Sequence, residues 1–274
     1  MTPFASRKFG WIPDLPDRRD YPYSKYFKVA KKLPPLVDLR PQCSAVEDQE
    51  TLGSCTAQAL VGSFEFLDQN KIDQSRLFLY YNEREIEGTI PFDSGAMIRD
   101  GIKSLNHTGI CPEAMWPYTI SKFTEKPPQR CYTEAEKHQI ISYLRLANLA
   151  EIKSCLADGF PVTFGFTVYE NFYETDSSGY CPMPSGGVLG GHAVLAVGYD
   201  DEKQCLIVRN SWGNNWGLNG YFYMPYAYVT PDLTDDYWTI RQIELCGEYN
   251  TNSFWQKLKN LWHRFVEWFN SLFV

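Results

Sequence analysis

DQETLGSCTAQALVG, residues 48–62, sets a cysteine, Cys55, directly behind a Gly-Ser pair and six positions after Gln49. Ala57, Leu60, Val61, Phe64 and Leu67 follow at helical spacing, which predicts a core helix headed by that cysteine. A thiol attacks only as thiolate, and the partial positive charge at a helix N-terminus favours that form. Gly53 and Ser54 keep the approach narrow and unhindered. A free cysteine at the start of a buried helix is nevertheless more often a small core hydrophobe. Partners elsewhere in the chain must decide between the two readings.

Outward from this stretch, SRLFLYYNEREIEG (75–88) gives a second helical pattern, and SGAMIRDGIKSLNHTG (94–109) a third that closes at Gly109. After the Pro-rich EKPPQRCYTEAEKH (125–138) the character changes. FPVTFGFTV (160–168), HAVLAVGYD (192–200), QCLIVRNSW (204–212) and GYFYMPYAYV (220–229) are β-branched and aromatic runs bounded by Gly, Asp and Asn. Helices first and strands later is the α+β pattern. It predicts a domain over 33–250, with a helical lobe at about 45–125, a β lobe at about 126–245 and a cleft between them. Residues 1–32 read as an extended arm. In the tail, the apolar residues of 254–273 fall in one arc of roughly 160° at 100° per residue, opposite Lys257, Lys259, His263 and Arg264. Ser253 and Gln256 form a capping box at its start. Such a helix suits a membrane surface, the chain's own β lobe or a second copy, and these three readings stay open.

Composition narrows the function classes. The 274 residues are 44% hydrophobic and 16% aromatic, enough for a substantial core without covalent staples. A net charge of −7 argues against nucleic acid as a partner. The eight cysteines are scattered without a CxxC pair, so neither a structural zinc site nor any other metal or organic cofactor is expected. MTPFASRKFGWIPDLPDRRDYP has no apolar leader, and no run of about 18 apolar residues occurs. The expectation is a chain with no secretory signal and no spanning segment; cytoplasmic and virus-associated settings stay open, as does peripheral membrane contact through the tail.

His192 follows two glycines and opens a strand, in a chain with four histidines. Asn210 lies one strand later, where its amide can hold the imidazole while Trp212 shields the contact. The order Cys, His, Asn, with His192 137 residues and Asn210 155 residues beyond Cys55, turns Cys55 from core filling into a candidate nucleophile. With Gln49, GSC before a helix, GHAVLAVGYD (191–200) and NSWGNNWGLNGYF (210–222), the chain resembles the papain family of cysteine peptidases over roughly residues 33–245. LGSCTA (52–57), GWIPDLPDRRDY (10–21) and FLYYNER (78–84) are similar to its bacterial and viral, xylellain-like branch.

The resemblance implies a papain-like two-lobe fold and a thiol protease. Cys55 would attack the peptide carbonyl, His192 would carry the proton, Asn210 would orient the ring with Trp212 in support, and Gln49 with the Cys55 N–H would hold the oxyanion. Gly95, Ala96, Met97, Gly165, Gly191 and Trp216 would bind peptide substrate, with Ala96, Met97 and Gly165 lining the main specificity pocket. Two positions depart from the family's local signature: Leu52 stands for its first cysteine and Thr56 for its aromatic residue. Cys111 and Cys131 flank the lobe boundary and are a candidate pair. The arm is short for a family pro-region, and residues 10–30 are expected partly to cover the cleft as the chain's own inhibitor, with Trp11, Tyr21 and Tyr23 as anchors. A structural strap on the back of the fold is the other reading of the arm. Two other functions fit the same machinery: a catalytically idle peptide-binding module, and an acyl transferase or ligase.

Overall fold

The computed structural model describes residues 6–68 and 72–244. Cys246 and the helix expected at 254–273 lie outside the described residues. The elements run α1 (Tyr23–Tyr26), β1 (Leu36–Asp38), α2 (Cys55–Leu67), α3 (Arg76–Glu87), α4 (Ile98–His107), α5 (Gln129–Ala135), β2 (Ile140–Leu146), α6 (Leu149–Ala157), β3 (Val162–Tyr169), β4 (Val188–Asp200), β5 (Cys205–Arg209), β6 (Tyr221–Pro225) and β7 (Thr234–Ile243), with short 3-10 turns between. The strands form one sheet in the order β2-β7-β3-β4-β5-β6, with β1 on β4. All of its pairings are antiparallel. Helices on one side and an antiparallel sheet on the other give the expected α+β arrangement.

Two apolar cores result. Leu60, Phe64, Leu77, Phe78, Ile98, Ile102 and Leu105 build the helical one. Phe164, Phe166, Val197, Tyr199, Trp212, Trp216, Phe222 and Met224 build that of the sheet. Helix α2 lies between them and is buried from Cys55 to Glu65, so its sequence is apolar or small almost all round rather than striped. Strand β4 meets α2 on one face and the sheet core on the other; His192–Tyr199 are therefore buried without alternation. Helix α4 seats against α2 and α3 through Gly101, whose missing side chain leaves room for Leu60 and Glu83.

Several elements escaped the sequence pattern, among them α5, β2, α6 and β7. Helix α6 is capped reciprocally, since the Asn148 side chain accepts from the Glu151 N–H at 3.0 Å and Glu151 from the Ala147 N–H at 2.9 Å. Strand β7 carries adjacent Asp235 and Asp236, with Asp236 at φ 56° in an irregular stretch of the pairing to β3, so it reads as a loop. Strand β2 pairs with β7 and inherits its concealment. Helix α5 places Cys131 and Ala135 in the helical core before the chain enters the sheet at Ile140.

Gly101→Ala is expected to cost about 1–3 kcal/mol by overpacking against Leu60 and Glu83. Urea unfolding should show a lower midpoint at unchanged m.

Candidate active site

Cys55 opens α2 with its side chain fully buried. The backbone N–H groups of Ala193, Gly10 and Thr56 point at its sulfur, yet burial outweighs them and pushes the thiol up to about 12. The loop before it is fixed from both sides. Gln49 accepts from Ser211 Oγ at 2.7 Å and donates through Nε2 to the Leu52 carbonyl at 2.9 Å. The Gly53 N–H donates to Asp93 at 3.0 Å, and Tyr80 donates to the same carboxylate at 2.6 Å while receiving the Gly95 N–H at 3.1 Å. Asp93 and Tyr80 thus tie the cysteine loop to the facing wall, a role no local motif signals.

His192 comes from β4, immediately before the Ala193 whose N–H faces the thiol. Its Nε2 is 2.8 Å from Asn210 Oδ1 just beyond β5, and Trp212 lies over the pair with ring centroids 5.3 Å from the imidazole. His192 Nδ1 has no hydrogen-bond partner among the described residues. Burial pushes the imidazole down to about 4, against the hydrogen bond to Asn210. Thiol and imidazole are therefore both neutral in this closed state.

What closes the site is the arm. Arg7 pairs with Asp48, and the Lys8 carbonyl accepts Gln49 Nε2 at 3.0 Å. Phe9 packs on His192 and Trp212 at centroid distances of 6.0 and 6.1 Å. Gly10 passes so close to Gly53 and Gly95 that a Cβ on Gly10 would collide with the Gly53 carbonyl and one on Gly95 with the Gly10 carbonyl, and the Gly10 carbonyl accepts the Ala96 N–H at 2.8 Å. Trp11 donates its N–H to the Gly191 carbonyl at 2.8 Å, and Ile12 donates to Ala96 at 3.0 Å. The segment over the cleft is thus Arg7–Ile12, starting before the expected residue 10. Beyond it the arm is a strap: Asp20 binds Arg99 and Arg145 at 2.6 and 2.9 Å, Tyr21 stands against Tyr143, and Tyr23 is buried in the sheet core. Tyr23 stacks on Phe27 there and does not anchor in the cleft.

A family model described as papain family cysteine protease matches residues 33–230. The chain belongs to the papain family of cysteine proteases. It is similar to xylellain, a cysteine protease from Xylella fastidiosa, with 44% identity and a TM-score of 0.81 over 86% of this chain and 96% of that one. An uncharacterized peptidase C1-like protein of Acanthamoeba polyphaga mimivirus is 41% identical over 88% of this chain and 89% of its own. A cathepsin B-like protein of Giardia intestinalis is 30% identical over 70% of this chain and 69% of its own. Family and branch agree with the sequence reading, and the papain-family chain is a cysteine-type peptidase.

The departures from the family's local signature have local reasons. Leu52 fills the helical core where the family signature has a cysteine. Thr56 donates to buried Glu83 at 2.8 Å, a contact that an aromatic residue at this position lacks. Burial pushes the Glu83 carboxyl well above its ordinary range. Cys111 and Cys131 lie side by side in the helical core as free thiols.

Of the expected peptide-binding residues, the arm engages most. Gly95, Ala96, Gly165 and Gly191 all contact Gly10 or Trp11. Met97 is half-buried at the start of α4, donating its N–H to Glu87 at 2.7 Å. Trp216 is a correction: 2% exposed, it stands behind Trp212, Phe172 and Phe222 as part of the sheet core rather than the cleft lining. The sequence reading missed Asp236, which receives the Trp11 indole N–H at 3.0 Å and the Asp14 N–H at 2.7 Å. Asp14 in turn receives the Trp238 indole at 2.9 Å. Burial raises both carboxyls, and their mutual repulsion adds to it at Asp236.

A His held below its ordinary 6.5, at about 4, adds stability that is complete above pH 6.5 and lost as pH falls towards 4. The raised Asp14 and Asp236 act with opposite sign, contributing stability at low pH that is lost as pH rises. The stability difference between the unmodified chain and His192→Gln isolates the histidine. It should fall by up to about 3 kcal/mol on acidification across that window, measured by urea unfolding at each pH.

Proposed function

We propose that the chain is a papain-type endopeptidase held latent by its own residues 7–12. Cys55 is the nucleophile: with the arm displaced, water re-enters, the desolvation penalty falls, and a proton can pass from the thiol to His192. The thiolate attacks a peptide carbonyl, whose oxygen collects charge beside the Gln49 amide and the Cys55 N–H. The imidazolium gives its proton to the leaving amine. Water, deprotonated by the imidazole, then cleaves the thioester and restores the thiol. Asn210 holds the ring for both transfers, under Trp212. The observation that carries this reading is that a peptide backbone already occupies the cleft, with the Lys8 carbonyl on Gln49 Nε2 and the Gly10 N–H on the thiol.

Regulation by the arm has a structural motive in the same place. The Gly10 backbone is locked between Gly53 and Gly95, and nothing larger than glycine fits. Gly10→Ala in the full chain should weaken docking by about 1–3 kcal/mol, raising the open fraction about 5- to 150-fold. Both proteins, and each with Cys55→Ala, would be treated with a cysteine-directed epoxide and a mixed peptide pool, reading adduct mass and turnover. Faster labelling and turnover in Gly10→Ala, both abolished by Cys55→Ala, are expected. Labelling at equal rates in both would keep the peptidase and discard the inhibitory arm. Absence of Cys55-dependent labelling in both would leave a peptide-binding module, and amide products formed with an added amine would indicate acyl transfer.

A further inference from the structure

Tyr118 lies far from the cysteine loop in sequence, 69 positions from Gln49 and 64 from Ser54, yet its hydroxyl stands between the two. It donates to the Gln49 backbone carbonyl at 2.9 Å, so the Ser54 hydroxyl, 2.7 Å away, donates to it in turn. Gln49 and Ser54 are fully buried. They carry the two groups proposed above to hold the oxyanion: Gln49 through its own amide, Ser54 through the peptide bond it shares with Cys55. The chain between them turns sharply. The Leu52 N–H closes on the Gln49 carbonyl at 3.2 Å, and Glu50 takes φ 53°, a left-handed conformation costly for any residue but glycine. Such a turn persists only where its surroundings hold it.

We propose that Tyr118 is a positioning residue for the oxyanion, its hydroxyl setting the spacing between the Gln49 amide and the Cys55 N–H. The proposal rests on the peptidase reading of Cys55. Without the hydroxyl, the strained turn at Glu50 can relax by shifting Gln49, and Nε2 moves off the point where it now meets the Lys8 carbonyl at 3.0 Å. Tyr118 is itself anchored. Its N–H donates to Glu113, and buried Arg76 at the start of α3 pairs with Glu113 at 3.0 Å and with Glu47, two residues before Gln49. The same guanidinium lies over the Tyr118 ring, 5.4 Å from its centroid. Burial raises the phenol, so the hydroxyl keeps the proton it donates.

The test compares the full chain carrying Gly10→Ala, which opens the cleft, with the same chain carrying Tyr118→Phe in addition. Each is alkylated at Cys55 with iodoacetamide, a displacement at a saturated carbon that builds no oxyanion, and each is given a peptide substrate. The ratio of kcat/KM to alkylation rate cancels any change in open fraction or thiol reactivity. Tyr118→Phe should lower that ratio about 10- to 100-fold, in kcat rather than KM, because a displaced donor is missed only in the transition state. Ser54→Ala, which leaves the phenol on Gln49 alone, should lower it about 5-fold, as for one neutral hydrogen bond, and by less when Tyr118→Phe is already present. Ser54→Ala also carries the test if Tyr118→Phe fails to fold. An unchanged ratio, with or without equal losses of alkylation and cleavage, would make the tyrosine a packing residue and overturn the proposal with the peptidase intact. Absence of Cys55 alkylation and cleavage in the Gly10→Ala chain would overturn both.

Discussion

The site depends on the burial of one helix end. Helix α2 runs between two apolar cores, and its first residue is Cys55; the thiol therefore meets strand β4 at Ala193, next to His192. Neither lobe fixes this alone. The sheet supplies the imidazole and its amide partner, the helical lobe supplies the thiol, and the packing of α2 against β4 sets the register between them. Glycine at 101 and the Thr56–Glu83 hydrogen bond belong to the same constraint, because they seat α2 on its neighbours.

Burial also decides the chemistry of the closed state. An ion pair of thiolate and imidazolium is stabilised by water and by the helix end, and the arm removes the water. With the thiol up at about 12 and the imidazole down at about 4, the proton stays on sulfur. The arm pairs with the cleft edges at Ala96 and Gly191, and under the proposed latency it would block in two ways: by occupying those edges and by making the reactive charge state costly.

Much of this was legible in the chain itself. The GSC turn before an apolar helix, the glycines before His192 and the NSWG turn are local signals, each dictated by backbone or helix-end geometry, and they led to the family and the two-lobe fold. The less legible parts are long-range. Asp236 sits in a strand hidden by its own Asp-Asp pair, and its meaning depends on an indole 225 positions away. Asp93 and Tyr80 act on Gly53 and Gly95 through a hydrogen-bond relay that no spacing encodes. Trp216 misled for the converse reason: its turn is recognisable, but which face of the turn meets the cleft is settled by the packing of Phe172 and Phe222.

Tyr23 is sunk in the sheet core, and Asp20 is clamped by two arginines, while Leu15 between them and the cleft is largely exposed. In the proposed latent form, the segment over the cleft is therefore a ligand on a short leash. Its occupancy of the cleft is set by an effective concentration, in the millimolar range for short flexible tethers, and not by the amount of protein present. Under the proposed latency, dilution would leave the closed fraction unchanged. An incoming peptide competes against that fixed local concentration, so apparent affinity reflects the leash as much as the pocket, and severing the exposed stretch around Leu15 would turn a reversible competitor into one that diffuses away.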